Sequence, residues 1–124
     1  MSYVLVFIGG GLGSMLRYAI NVLCGRTLGL NFPYSTFLIN VTGSLVMGLV
    51  AGYLAFKGEA SQPWRGFIMT GVLGGYTTFS AFSLDAVSLY ERGEVGLAVF
   101  YVVGSVLLAI AGLVAGLAII RHVA

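Results

Sequence analysis

Four runs of mostly apolar residues, each long enough to cross a bilayer as a helix, take up this chain almost end to end. A crossing needs about 20 such residues, and the runs are expected at 3–23, 34–56, 64–90 and 95–120. The connectors at 25–33, 57–63 and 91–94 are short and carry charge, glycine or proline, the usual punctuation between helices. Hydrocarbon leaves no water to satisfy backbone groups, so spans of this kind must be helical. The expected fold is therefore all-α: one membrane domain, residues 1–124, with four transmembrane helices. Composition agrees, since 59% of residues are hydrophobic and only 8% charged, where a soluble domain carries about 25% charged residues. The first run lacks a basic leader and a small-residue cleavage pattern, so it reads as a retained span and not as a signal peptide.

The third run is the one that departs from a plain helix. Gly71-Val-Leu-Gly-Gly-Tyr-Thr-Thr-Phe-Ser-Ala-Phe-Ser83 places a glycine pair, adjacent threonines, serines and two phenylalanines inside an apolar segment. Glycine tolerates torsions that other residues avoid, so the helix is expected to break at Gly74-Gly75 in mid-membrane. A break frees carbonyls and N–H groups, and it survives only if buried in protein or facing a polar cavity. Trp64 and Tyr90 bracket the span, where amphipathic rings prefer the interface.

Seven of the 19 glycines fall in small-xxx-small pairs that let membrane helices approach closely. Gly9/Gly13 and Gly10/Ser14 form such pairs in the first span, Gly48/Gly52 in the second and Gly112/Gly116 in the fourth. Basic residues hardly choose an orientation. Lys57, Arg65 and Arg121 fall on one side, and Arg26 and Arg92 on the other, with Arg17 deep in the first span. That balance favours insertion in both orientations, and with it an antiparallel homodimer in the lipid bilayer.

Polar residues inside spans are functional hypotheses by default. Thr36 and Asn40 share a helix face with Ser44 and Gly48, and Tyr101, Ser105 and Ala109 follow one another on the fourth span. Thr78, Phe79, Ser80 and Phe82 cluster in the third. Phenyl edges carry positive quadrupole charge, so an anion can rest against them. Amide and hydroxyl donors can replace water around a small anion without trapping it. Arg17 is read as snorkelling to the interface, capping polar groups at a helix end or forming a positive vestibule. Asp85 is read as its ion-pair partner or as a charge at a pore mouth.

Several classes are excluded. Cys24 is the sole cysteine, so there is no internal disulfide and no cysteine metal cluster. There is no Ser–His pair and no carboxylate pair for catalysis, so the chain is not read as an enzyme. A net charge of +2, scattered, gives no nucleic-acid footprint. A proton-coupled drug exporter of this size would need an intramembrane carboxylate, and Asp85 is the candidate for it. A purely structural assembly protein would leave the polar stripes without a purpose.

Three motifs together resemble a known family. They are Gly10-Gly-Leu-Gly-Ser-Met-Leu-Arg17-Tyr18, Ser35-Thr-Phe-Leu-Ile-Asn40-Val-Thr-Gly43 and Gly74-Gly-Tyr-Thr-Thr-Phe-Ser-Ala-Phe-Ser-Leu-Asp85. The chain resembles, over essentially its whole length, the small dual-topology fluoride channels known as the Fluc or CrcB group. The resemblance implies a multi-pass protein of the bacterial inner membrane that exports fluoride passively and confers fluoride resistance. It implies an antiparallel homodimer with two pores and a structural sodium ion at the dimer centre. The carbonyls of Gly74 and Thr77 would hold that ion. Asn40, Phe79, Phe82, Ser80, Thr78, Tyr101 and Ser105 would face fluoride. Three positions depart from the family pattern: Ala81 stands for a common threonine, Asp85 for a frequent glutamate, and Ala109 lacks a hydroxyl that some relatives carry.

Overall fold

The computed structural model describes residues 2–29, 31–56 and 62–123. They form helix α1 (Ser2–Thr27), α2 (Tyr34–Phe56), α3 (62–76), α4 (Ser80–Glu91) and α5 (Val95–Val123). Four stretches are long and apolar enough to cross a membrane, with α3 and α4 together making the third. This is a multi-pass membrane protein. Lys57, part of the charge balance above, lies outside the described residues.

The termini of the spans follow local chemistry. Arg26 ends α1, and Arg121 and His122 end α5, where cations suit the negative end of the helix dipole. The turn between α4 and α5 is a Schellman motif. Gly93, at φ +83°, lets Glu94 N–H reach the Leu89 carbonyl and its own N–H reach that of Tyr90, both at 3.0 Å. The two helices are thereby folded back on each other within a few residues.

The helices pair as α1 with α3 and α2 with α5, while α4 leans on α5. Small residues set both pairings. A Cβ on Gly13 would stand 2.1 Å from the Val72 carbonyl oxygen and 2.8 Å from the Tyr76 nitrogen. On the other pair, a Cβ on Gly48 would meet the Leu113 carbonyl at 2.2 Å, and one on Gly116 the Leu45 carbonyl at 2.5 Å. Close backbone approach is how helices associate where lipid is as apolar as leucine. Gly13→Ala should therefore cost about 1–3 kcal/mol or more, because the obstructing atoms are backbone and cannot swing aside. A thermal melt in detergent followed by size-exclusion chromatography reads this directly. An unchanged melt would mean that α1 and α3 can separate without loss.

Tyr101, Ile39 and Leu89 are fully buried. Most other large apolar residues, among them Phe7, Met15, Tyr18, Phe100 and Leu107, lie exposed on the outside. Helices that are apolar all round belong in lipid.

The third span departs from expectation in two ways. First, the helix does not break at the glycine pair. Gly74 has φ −64° and ψ −36°, and Gly74–Tyr76 is regular helix. The break comes at Thr77, whose ψ of 159° is extended, and it runs to Phe79. Gly75 is there for proximity instead: a Cβ on it would lie 2.5 Å from the Gly10 carbonyl oxygen. Second, Gly66–Leu73 winds as a π-helix, a rare form concentrated at functional sites. Glycine's freedom is thus used to press α3 onto α1, and the chain unwinds three residues later.

Candidate functional site

The unwound segment Thr77-Thr78-Phe79 is where the site is built. Two adjacent β-branched residues are stiff in a helix, and their hydroxyls compete for backbone groups. Thr77 takes its own bonds from the last turn, both N–H and Oγ1 donating to the Leu73 carbonyl at 3.0 and 2.9 Å. Thr78 turns away. Its N–H donates to Asn40 Oδ1 at 2.9 Å, and Asn40 Nδ2 donates back to the Thr78 carbonyl at 2.9 Å. This reciprocal pair fixes which way the amide points, since a flipped amide would set donor against donor. The Thr78 hydroxyl then accepts the Ala81 N–H at 3.1 Å, at the start of α4.

These substitutions leave two carbonyls over. In a continuous helix the N–H of Thr78 would close on the Gly74 carbonyl, and that of Ala81 on the Thr77 carbonyl. Both donors are committed to side chains instead. The Gly75 carbonyl between them accepts Arg17 Nε at 3.1 Å. α2 closes tightly over the break, because a Cβ on Gly43 would sit 2.3 Å from Thr77 Cγ2 and 3.1 Å from the Tyr76 ring. Thr42 adds a hydroxyl contact to Tyr76 Oη at 2.9 Å.

Beside the break runs a groove of about 450 Å³ between α2 and α5. Asn40, Thr78, Phe79, Phe82 and Ser105 line it, together with Gly74 and Thr77. These residues, all singled out from the sequence, are therefore brought together. Ser105 is 4% exposed, and its hydroxyl is buried without a hydrogen-bond partner. Phe82 is buried, whereas Phe79 is 77% exposed although its ring centroid lies only 5.6 Å from that of Phe82.

Other expected residues sit elsewhere. Ser80 meets the Thr78 hydroxyl at 3.4 Å and is not part of the groove lining. Tyr101 is fully buried behind Phe82, 5.2 Å between centroids, and its hydroxyl donates to Asp85 Oδ2 at 3.2 Å. Asp85 in turn lines a second cavity of about 370 Å³ at one end of the bundle, with Thr36, Ser88 and Arg92. Of the alternatives for these two residues, the Arg17–Asp85 ion pair is not made. Arg17 is spent on a backbone carbonyl of α3 and Asp85 on a phenol of α5, so the basic residue lining the Asp85 cavity is Arg92.

Sequence reasoning also passed over Phe32. It lies in a connector, where an aromatic gives no periodic signal, yet it packs edge-on against Tyr101 at 5.5 Å and 88°. A phenyl and phenol series thus runs Phe79, Phe82, Tyr101, Phe32 from the groove to the wall of the end cavity.

The chain is similar throughout its length to proteins of one kind. Residues 4–117 match the family model described as CrcB-like protein, Camphor Resistance (CrcB). A protein of Nitrobacter hamburgensis named fluoride-specific ion channel FluC 2 is 68% identical over 122 residues, 98% of each chain. Two proteins of Rhodopseudomonas palustris strains, each named fluoride-specific ion channel FluC, are 71% and 73% identical. They cover 99% and 98% of both chains.

Proposed function

The chain belongs to the CrcB family, and from that premise we propose that it is a fluoride-selective channel, not an enzyme. It lets fluoride leave the cytoplasm down its electrochemical gradient across the inner membrane of a bacterium, and so gives fluoride resistance. Fluoride enters cells as the neutral acid and ionises inside, so a passive path for the anion is enough. The observation that carries this reading is the groove beside the broken span, where neutral donors and two phenyl rings meet.

A tightly hydrated anion crosses only if the wall replaces its water. Asn40 keeps one amide hydrogen for this purpose, because the other is used on Thr78. The Ser105 hydroxyl, buried and unpartnered, is a second donor held ready. Phe79 and Phe82 offer ring edges between them. None of these groups carries a full positive charge, so the anion is bound weakly enough to leave. From the groove, the path continues past Phe82 and Tyr101 toward the end cavity of Asp85 and Arg92.

The same reading makes the working unit an antiparallel homodimer in the bilayer. The exposure of Phe79 supports this, since a phenyl ring that lines a pore needs a second wall. A structural sodium ion at the dimer centre also fits the donors present. Hard cations take oxygen ligands, and helix breaks expose them. The Gly74 and Thr77 carbonyls, having lost their helical donors, are such ligands. One chain offers two, and a second copy would make a set large enough to hold the ion. When bound, the ion supplies charge that ties the two breaks together.

The direct test is efflux from liposomes holding the purified protein, read with a fluoride electrode and with chloride as control. Fast fluoride release without chloride release and without a proton gradient is expected. Proton-dependent transport, or none from folded protein, would overturn the reading. Exchange of sodium for a large organic cation during purification should lower the melting temperature, and an unchanged melt would remove the ion.

A further inference from the structure

The groove carries one polar group that the path just described does not use. On α2, Asn40 and Ser44 stand one turn apart, and on α5 Ser105 and Ala109 do the same. All four line the groove. Beyond Ser44 and Ala109 the lining turns apolar, with Met47 and Leu113. There the helices close, because Gly48 lies against the Leu113 backbone. The two helices run side by side in the same direction, Val41 beside Gly112 and Gly52 beside Ile120. Ser105 therefore lies before Asn40, Ala109 beside it, and Ser44 about one turn beyond.

Ser44, one turn past Asn40, is level with Gly112 of α5, beyond Ala109. It is half-buried. A serine in a membrane helix commonly returns its proton to the carbonyl one turn back. Thr42 does this with Leu38 at 2.6 Å, and Thr77 with Leu73. Among the described residues, Ser44 takes no hydrogen-bond partner in the chain, and within the groove lining it shares that state with Ser105. An unspent hydroxyl within a membrane span is expensive unless something comes to it.

Resting on the channel reading, we propose that Ser44 is an anion-contacting, rate-determining residue. Its hydroxyl donates to fluoride one turn past Asn40, where the α5 lining has only Ala109 and Leu113 and no donor. The path then runs from Ser105 on α5 to Asn40 and Ser44 on α2.

The experiment removes the hydroxyl and then keeps it on a different side chain. Fluoride efflux is measured for the unaltered chain, Ser44→Ala and Ser44→Thr, each checked for folding by its elution and melt. Ser44→Ala should lower efflux about tenfold, the scale of one lost hydrogen bond to a charged group, with the melt unchanged. Ser44→Thr keeps a hydroxyl there and should retain most of the efflux. Full efflux in Ser44→Ala, or a loss in Ser44→Thr as large as in Ser44→Ala, would overturn the assignment. Absence of efflux from the unaltered chain would instead overturn the channel reading itself.

Discussion

Asn40→Leu is expected to abolish fluoride efflux and to loosen the third span at the same time. The side chain makes two bonds to one peptide unit, Thr78 N–H to Oδ1 and Nδ2 to Thr78 C=O. Leucine removes both and leaves the Thr78 donor and acceptor half-buried and unmatched. The expected cost is about 2–4 kcal/mol, and efflux should fall by more than about a hundredfold. Asn40→Asp separates the two roles. A carboxylate still accepts the Thr78 N–H, but it sets an anionic oxygen against the Thr78 carbonyl and places negative charge in the groove. Efflux should fall as far as with leucine, while more of the melt is kept. If Asn40→Asp conducted normally, the amide would be a brace for the break and nothing more. If Asn40→Leu melted like the unaltered chain, the reciprocal pair would not be holding Thr78.

The second large effect is expected at the two phenylalanines, and the two should differ in kind. Phe82 is buried, packed between Phe79 and Tyr101. Phe82→Ile loses a ring from that stack and should cost about 1–2 kcal/mol of stability as well as about a hundredfold in efflux. Phe79 is largely exposed within its own chain, so Phe79→Ile should barely alter packing there. Its efflux should still fall by about a hundredfold, because isoleucine has bulk but no positive ring edge. Paired measurements of efflux and melt distinguish these outcomes. Normal efflux in both variants would take the ring edges out of the path. A large stability loss with Phe79→Ile, together with loss of the dimer on crosslinking, would place that ring in the contact between copies instead.

The sequence went far on this protein because its solvent is harsh. Hydrocarbon leaves a lone apolar run of about 20 residues only the helix, so run length located the four spans to within a few residues. It also makes every polar group inside a span conspicuous. Asn40, Thr78 and Ser105 stood out for that reason, and the structure brings them to one groove with the two phenylalanines. Ser44 was visible on the same stripe, but nothing in the stripe distinguished a pore hydroxyl from one that glues helices.

What the tertiary structure decided was partnership. A glycine in a sequence can mean a break or a close approach, and only the neighbour tells which. Gly74-Gly75 read as the break, yet Gly75 is filled by the backbone of Gly10, and the break moves to Thr77. It stays there because Asn40, distant in sequence, captures the Thr78 peptide. Arg17 and Asp85 likewise invited pairing by charge alone. Each found a nearer partner, Arg17 the Gly75 carbonyl and Asp85 the Tyr101 hydroxyl. Helical periodicity reports which residues share a face, since that is a local property of one helix. Which backbone group a side chain will satisfy depends on the helix packed against it, and that is settled only when the chain has folded.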